Sequence, residues 1–193
     1  MKKYHSAIFL AEDLLDARGV SEESRRTFRL GVVEDPIEDH EPYEGMLCIP
    51  YLDRLGRVLK VRFRRLEGSG PKYMDLPHEH SRIFNTKAIF EADSEIHVTE
   101  GEMDCIILTQ LGYHAIALPG AQMWQKHHTK VLAGFNRIIC WGDPDDGGKD
   151  FNEKIKSSMR TAQSVKLTIG DVNETYLKGG PEAIEEAIGR LKW

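Results

Sequence analysis

The sequence predicts an α/β protein in which a mostly parallel sheet of four β-α units follows a smaller α+β amino-terminal part. Two observations support this prediction. Residues 95–192 alternate four short apolar segments with four helix-like segments, which is typical of a right-handed wound sheet. Residues 46–68 instead contain two strand-like segments around a tight turn. We therefore expect a boundary near residue 92, with an amino-terminal subdomain over 1–92 and a second domain over 93–193.

Composition and charge are those of an ordinary globular protein. The 193 residues carry a net charge of −5, which argues weakly against nucleic-acid binding, although acids gathered at one site can hide a local basic strip. The three cysteines lie in apolar segments at irregular spacing, so we expect buried free thiols in a reducing compartment such as the cytoplasm. We find no signal-peptide pattern and no apolar run of membrane-spanning length, and we expect no membrane partner.

The amino-terminal subdomain is predicted to begin with two helices. An amphipathic segment from Ser6 to Arg18 ends at Gly19. Ser21 is a residue type that caps helices, and the helix that it begins ends before Gly31. The segments MLCIPYLD and GRVLKVRFRRLEG then predict two strands around a turn from Asp53 to Gly56.

The second of these strands alternates apolar and basic residues. Lys60, Arg62 and Arg64 would share one face, which predicts a positively charged surface. Taken singly, each arginine is equally well explained as part of a solvated strand face. The following segment, GSGPKYMDLP, has the character of an irregular connection.

The four β-α units of the second domain follow in order. The predicted strands are EIHVTE, HAIALPG, RIICWG and SVKLTI. The predicted helices are EMDCIILTQLG, QMWQKHHTKVLAG, KDFNEKIKSSMRTA and PEAIEEAIGRLK, the last of which begins with Pro181. Ligands of wound sheets bind at the carboxyl ends of the strands, so the residues after each strand are the candidates for function.

Acidic residues follow three of the four predicted strands. Glu100 ends the first, Asp143 and Asp145 follow the third, and Asp171 follows the fourth. Each acid alone has an ordinary explanation as a turn former or helix cap. Together, on strands about 5 Å apart, unpaired carboxylates would repel one another, and a divalent cation would remove that repulsion. Oxygen ligands suit Mg²⁺ or Mn²⁺, so the sequence predicts a metal site at this edge.

Two segments resemble a known family. VTEGEMDCIILTQLG and ICWGDPDDGG are similar to the Toprim domain of bacterial DnaG-type primases, topoisomerases and some nucleases. The family has a glutamate after its first strand and an Asp-x-Asp after its third, which Glu100, Asp143 and Asp145 match. Asp104 matches an aspartate four residues after that glutamate, and one further helical turn places it behind the metal ligands.

Other segments resemble primases in particular. GDVNETYLKGG is similar to the primase stretch Lys-Asp-x-Asn-Glu through Asp171 and Asn173, with Gly170 where a lysine is common. LLDARGVSEESRRTFRLG, IPYLDRLGRVLKVRFRRLEGSGPKYMDLP and RIFN resemble the amino-terminal half of the primase RNA polymerase domain. The resemblance extends from about Ala11 to Gly180 and implies a basic strip that contacts template and nascent strand. The candidate residues of this strip are Lys72, Arg62, Arg64 and Arg65.

The resemblance implies a primase that makes short RNA primers on single-stranded DNA from nucleoside triphosphates. Two Mg²⁺ or Mn²⁺ ions would be held by Glu100, Asp143 and Asp145, with Asp171 as a further ligand. The chain contains no CxxC pair and no helicase segment. A zinc-binding template-recognition module and a helicase would therefore act in trans, or the chain is a part of a longer protein, and the sequence leaves both alternatives open.

Two alternatives stay open, and two further residue types have simple interpretations. A Toprim nuclease would use the same acids for hydrolysis, and a nucleic-acid-binding replication subunit would be inactive without a partner module. A topoisomerase is disfavoured because the chain has no room for gate domains.

We interpret Trp141 as a buried strand residue rather than a base-stacking one, and His127 and His128 as surface residues.

Overall fold

The structure, a computed structural model, describes residues 2–119 and 124–192 and divides into two compact units, Met1–Arg82 and Ile83–Trp193. The division lies earlier than the expected boundary near residue 92. The reason is that the intervening residues contact the second unit: Phe84 forms an isolated antiparallel bridge with Ala117, whose carbonyl accepts from the Phe84 N–H at 2.9 Å.

The first unit contains a small antiparallel sheet and short helices. Its strands are β1 (Gly31–Val32), β2 (Leu47–Leu52), β3 (Val58–Arg64) and β4 (Tyr73–Asp75), in the order β1-β2-β3-β4. Its helices are α1 (Lys2–Ser6), α2 (Glu12–Ala17) and α3 (Glu22–Thr27), with 3-10 turns at Ile8–Ala11 and Glu41–Tyr43. The predicted hairpin is confirmed as the antiparallel pair β2 and β3.

The amino-terminal helices differ from the prediction in one respect. The helix expected from Ser6 to Arg18 is α-helical only as α2, Glu12–Ala17, because its first part forms the 3-10 turn Ile8–Ala11, and α1 precedes it. Helix α1 packs closely on β1: a Cβ on Gly31 would be 2.4 Å from the backbone of Tyr4. The predicted cap is confirmed: the Ser21 hydroxyl accepts a hydrogen bond from the Ser24 N–H at 3.2 Å.

Part of the segment expected to be irregular is a strand. Tyr73 pairs with Arg64, and Asp75 with Arg62, so β4 extends the sheet beyond β3. Three residues are too few for an alternating pattern to be visible in the sequence. This strand decides the environment of the basic face on β3.

The second unit is a parallel sheet with helices, which confirms the predicted α/β class. Its strands are β5 (Glu95–Thr99), β6 (Ala115–Ala117), β7 (Arg137–Trp141) and β8 (Ala162–Ser164), in the order β6-β5-β7-β8 with every pairing parallel. Its helices are α4 (Lys87–Glu91), α5 (Glu102–Gln110), α6 (Lys126–Leu132), α7 (Asp146–Ser158) and α8 (Val172–Gly189). Val98, Ile138, Phe151 and Ile155 belong to the buried cluster that joins the sheet to its helices.

The helix and strand boundaries near the candidate site differ from the prediction. The helix predicted from Lys149 begins at Asp146, and β8 occupies 162–164 rather than 164–169. The span Val172–Gly189 consists of two helical segments separated at Gly180, whose backbone is not helical and whose φ is 68°. The second segment begins at Pro181, as predicted, and the first, from Val172, is additional. The predicted start of α6 at residues 122–123 lies outside the described residues.

The structure also describes the cysteines, His128 and the length of the helices. All three cysteines are buried free thiols, as expected. The interpretation of His128 as a surface residue is wrong, because its ring is buried and forms a capping pair with Gln125 at the start of α6. Within the described ranges, no helix combines the length and the apolar character that crossing a membrane requires.

Candidate functional site

Two acidic strand ends meet at one edge of the parallel sheet. Strands β5 and β7 are neighbours, with Thr99 in register with Trp141. The residue after β5 is Glu100, and its Oε1 accepts a hydrogen bond from the N–H of Asp143 at 3.0 Å. The strand register therefore brings together Glu100 and the start of the Asp-x-Asp segment, as the sequence predicts.

The electrostatic environment of Glu100 is unfavourable to its charge. The pKa of Glu100 is raised from 4.5 to about 7, mainly by burial and additionally by the negative charges of Asp143 and Asp145, against the opposing effect of the Asp143 N–H. Among the described residues, no positive charge is found to offset these effects on Glu100. A cation bound beside it would supply that charge.

The acidic loop lies directly on the first turn of α7. A Cβ on Gly148 would be 2.0 Å from the carbonyl oxygen of Asp143, and one on Gly142 would be 2.2 Å from the carbonyl oxygen of Gly148. Only glycine permits these approaches. Asp145 is the N-cap of α7, and its Oδ1 accepts from the Gly148 N–H at 2.9 Å. The helix thus holds one oxygen of Asp145 in place.

Asn152 supports the same loop and was not identified from the sequence. Its Oδ1 accepts a hydrogen bond from the Gly142 N–H at 3.0 Å, and its side chain is buried. The available signal was an amide between Phe151 and Ile155 on the buried face of α7. A buried amide needs a hydrogen-bond partner, but the sequence alone does not identify which group that partner is.

Asp104 holds the start of α8. Its carboxylate is buried, and Oδ1 accepts from the N–H of Asn173 at 3.0 Å. Asp171 is the N-cap of α8, where its side chain accepts from the Glu174 N–H at 2.7 Å. Asp104 therefore connects α5 to the segment that carries Asp171, and its supporting role at a metal site stays a prediction.

The expectation that Asp171 stands at the end of a strand is corrected. Strand β8 ends at Ser164, and Asp171 caps a helix seven positions further along the chain. Its role as a metal ligand and that of Asn173 stay predictions. Asn173 is buried, and the hydrogen bond described for it is the one that its backbone N–H donates to Asp104.

The oxygen ligands of this edge fit a hard divalent cation. Among the described residues, no three His, Cys, Asp or Glu side chains converge closely enough to hold a metal ion. Glu100, Asp145 and Asp171 each use one oxygen on a backbone N–H, which leaves the second oxygen of each carboxylate as a possible ligand. Carboxylate oxygens suit Mg²⁺ or Mn²⁺, and a cation bound beside Glu100 would lower its raised pKa.

The basic face of the first unit is largely covered, which corrects the expected open surface. The Nζ of Lys60 lies 2.8 Å from Asp75, and Arg64 donates to the Tyr73 hydroxyl at 3.0 Å. Lys60 and Arg64 are both buried. The guanidinium of Arg62 stacks over the Tyr73 ring at 4.6 Å. These contacts arise because β4 places Tyr73 and Asp75 directly opposite the basic residues.

Two further basic residues lie next to β4. The Arg65 N–H donates to the carbonyl of Lys72 at 2.9 Å, and its Nε donates to the carbonyl of Pro71 at 3.3 Å. Lys72 is exposed, with its Nζ 5.8 Å from the Tyr73 ring centre. Among Arg62, Arg64, Arg65 and Lys72, the exposed residue is Lys72.

The interpretation of Trp141 as a buried strand residue is confirmed. Its side chain is 1% exposed, and its Nε1 donates to Nδ1 of His97 at 2.9 Å. The other ring nitrogen of His97 lies 3.1 Å from Glu95. Because Nδ1 accepts from tryptophan, Nε2 carries the proton and donates to the carboxylate.

Comparison with known proteins identifies the same domain. Residues 97–176 match the Toprim-like family. The Gene 57 protein of Mycobacterium phage D29 is 32% identical over 151 residues, which cover 76% of this chain and 99% of that protein. The DNA primase of Haemophilus influenzae is 24% identical over 186 residues, which cover 86% of this chain and 31% of that protein. The chain thus spans less than a third of that primase.

Solved structures share the fold along almost the whole chain. The RNA polymerase domain of Mycobacterium tuberculosis primase DnaG, solved with a double-stranded DNA oligomer that has a 6-nucleotide overhang, superposes with a TM-score of 0.81 at 17% identity and covers 98% of this chain and 77% of that chain. The zinc-binding and RNA polymerase domains of Aquifex aeolicus primase give a TM-score of 0.81 at 20% identity, covering 97% of this chain and 58% of that chain.

These matches and the acidic strand ends agree with one another. The family match covers the parallel-sheet unit that carries Glu100 and Asp143, and the structural matches extend through the amino-terminal unit as well. Membership of this family implies the use of divalent metal ions in general, in keeping with the oxygen ligands described above. The chain belongs to the same family as the Gene 57 protein of Mycobacterium phage D29, contains a Toprim-like domain, and shares its fold with the catalytic domains of DnaG-type primases.

Proposed function

We propose that this chain is the catalytic core of a DNA primase, which synthesises short RNA primers on single-stranded DNA from nucleoside triphosphates. The observation that carries the proposal is the contact between Glu100 and the Asp143 loop. It lies at adjacent strand ends of a fold shared with primase RNA polymerase domains along 98% of the chain. An acidic edge that needs a cation is the arrangement that phosphoryl transfer requires.

In this proposal, Glu100, Asp143 and Asp145 hold the catalytic metal ions, and Asp171 is a further ligand. A bound pair of Mg²⁺ or Mn²⁺ ions would activate the primer 3′-hydroxyl and stabilise the leaving pyrophosphate. The protein contributes position and charge, so no residue has to act as a general base. Asp104 orients Asp171 by fixing the start of α8 through the Asn173 N–H.

The basic residues of the first unit bind phosphates in this proposal. Lys72 contacts them directly because its ammonium is exposed. Arg62 and Arg65 are partly exposed and add to the positive potential, whereas Arg64 acts by holding Tyr73. The DNA oligomer in the M. tuberculosis structure supports nucleic acid as the ligand of this fold. Asn173 would support nucleotide binding from the start of α8.

Template recognition is proposed to come from partners. The A. aeolicus structure joins a zinc-binding domain to the RNA polymerase domain, and we propose that an equivalent zinc-binding module acts on this chain in trans, together with a helicase. Nucleoside triphosphates and single-stranded template are then the ligands of the core itself.

The test is primer synthesis by the wild-type chain and by Asp145→Asn, with labelled nucleoside triphosphates and a single-stranded template in Mg²⁺ or Mn²⁺. Asparagine caps helices as well as aspartate does, so the variant keeps the α7 cap and loses only the charge. We expect primers from the wild type, and loss of both primers and calorimetric metal binding in the variant. Asp150→Asn, an exposed acid on the same helix, should behave as wild type.

Two results would contradict the proposal. Hydrolysis of the nucleic acid without any primer synthesis would identify a Toprim nuclease. DNA binding without any product at high Mn²⁺, even with a zinc-binding partner supplied, would identify a binding subunit.

A further inference from the structure

A cavity of about 650 Å³ lies beside the acidic loop in the parallel-sheet unit. One wall is Gly142, Asp143 and Pro144, and a second is one face of α7. The third is the segment 164–168 that follows β8. The cavity therefore stands at the carboxyl ends of β7 and β8, where wound sheets bind ligands, and its volume suits a nucleotide-sized molecule.

Three lysines line this cavity. Lys149 and Lys156 lie two helical turns apart on α7, and Lys166 faces them from the segment after β8. Asp146 and Glu153 hold the first two, with N···O distances of 2.8 Å and 2.7 Å.

The ammonium group of Lys166 differs from the other two. Within residues 2–119 and 124–192, no ion pair or hydrogen bond is found for it, and the residue is exposed. Its positive charge is therefore available to a ligand without the loss of an internal contact.

Neutral hydrogen-bond donors complete the lining. Ser164 and Thr168 contribute hydroxyl groups. Asn152 uses its Oδ1 for the Gly142 N–H, so the group that it can offer to the cavity is its amide Nδ2. Cations and donors on opposite walls suit an anion with several oxygens close together.

The two acids that line the cavity do not cancel the positive charge of its three lysines. Glu153 is paired with Lys156. Asp143 lies at the end of the cavity next to Glu100, where the proposed function requires metal ions. Three lysines against two carboxylates leave a net positive lining before any metal ion binds.

We propose that this cavity binds the polyphosphate group of a nucleoside triphosphate, and the pyrophosphate released from it, with Lys166 as the principal contact and Lys156 and Asn152 in support. The proposal rests on the proposed function, because it places the triphosphate beside Asp143. A polyphosphate concentrates its charge within a few atoms and so can use lysines on two facing walls. A nucleic-acid strand distributes one charge per phosphate along a continuous chain.

The test is calorimetric titration of the full chain with inorganic pyrophosphate and with ATP, in the presence of Mg²⁺. Lys166→Ala should weaken both affinities about tenfold, the typical effect of losing one charge-assisted hydrogen bond. Lys130→Ala is the matched control: it removes an exposed lysine from α6, outside this cavity, and its affinities should equal those of the wild type. A short single-stranded oligonucleotide provides the third titration and should bind both variants as it binds the wild type.

The possible outcomes separate this proposal from the proposed function. Equal pyrophosphate affinity in Lys166→Ala and the wild type would overturn the cavity assignment, whether or not the wild type makes primers. A selective loss of oligonucleotide affinity would also overturn it and would assign the cavity to a strand. Weakened pyrophosphate binding would support the assignment even if the chain made no primer.

Discussion

Glu100 makes the stability of the metal-free protein depend on pH. Its pKa is about 7 in the folded protein and 4.5 ordinarily, so between these values the folded state holds a proton that the unfolded state has lost. The contribution of Glu100 to the free energy of unfolding therefore has its full value below about pH 4.5 and is lost as the pH rises through 7. A neutral side chain that keeps the hydrogen bond at this position would not lose stability at high pH, because it carries no buried negative charge.

We expect Glu100→Gln to be more stable than the wild type at pH 8 in EDTA, and the difference to disappear at pH 4.5. Urea denaturation at the two pH values measures this. Glu38→Gln, which removes an exposed carboxylate from the amino-terminal unit, should show no such pattern. A stability difference between Glu100→Gln and wild type that does not change with pH would mean that Glu100 is not destabilised by its charge.

Lys72 is the residue on which the proposed phosphate contact of the first unit depends most directly. Lys72→Ala should weaken binding of single-stranded DNA and lower the slope of log affinity against log salt by about 0.7, the value for one lost phosphate contact. Fluorescence anisotropy at several salt concentrations gives the slope. Lys2→Ala, an exposed lysine in the same unit, should leave it unchanged. An unaltered slope in Lys72→Ala would assign Lys72 to the solvated surface.

At the scale of elements, helix caps position the acids. Asp145 caps α7 and Asp171 caps α8, so each carboxylate has one oxygen fixed on a backbone N–H and one oxygen left for a ligand. The helix amides also favour negative charge at these positions. The caps therefore hold the acids in place in the absence of metal.

The close contact between the acidic loop and α7 depends on Gly148. In Gly148→Ala the new Cβ would be 2.0 Å from the Asp143 carbonyl, so the loop must move away from the helix. We expect a loss of about 1–3 kcal/mol in the free energy of unfolding and weaker metal binding, measured by denaturation and calorimetry. Gly189→Ala, in α8 with open space around its Cβ position, should be neutral or stabilising by up to ~1 kcal/mol. If Gly148→Ala bound metal with the affinity of the wild type, metal binding would not depend on the position of the acidic loop.

At the scale of the whole molecule, the proposed contacts give binding without sequence choice. The acids bind metal ions and the basic residues bind phosphates, and phosphate contacts carry no sequence information directly. A zinc-binding module that grips the template would add specificity and raise the effective concentration of the core on it. The core alone should therefore bind its reactants most weakly at initiation, when the primer is only a dinucleotide.

We expect the chain alone to extend a supplied dinucleotide more readily than it starts from two free triphosphates, with little preference among templates. Gel analysis of both reactions across several template sequences tests this. Addition of a separate zinc-binding module should raise initiation more than extension. Strong initiation at one defined trinucleotide by the chain alone would show that a recognition element lies within these 193 residues.

Much of the candidate metal site could be predicted from the sequence because it depends on local patterns. Apolar segments fix where β5 and β7 end, and parallel pairing brings the carboxyl ends of all strands to one edge of the sheet. Glu100 and Asp143 were therefore expected to meet, and they do. The Ser21 cap and the β2–β3 hairpin are local features of the same kind.

Long-range pairing decided the remaining features. The three residues of β4 are too short to form a visible pattern, yet they place Tyr73 and Asp75 against the basic residues of β3 and cover the face expected to be open. Asp171 was expected at a strand end, but β8 pairs with β7 earlier in the chain and Asp104 anchors the start of α8. The sequence alone determined which residues carry charge and where local segments end. Only the tertiary structure decided which charges are paired, because pairing depends on contacts between residues far apart in the chain.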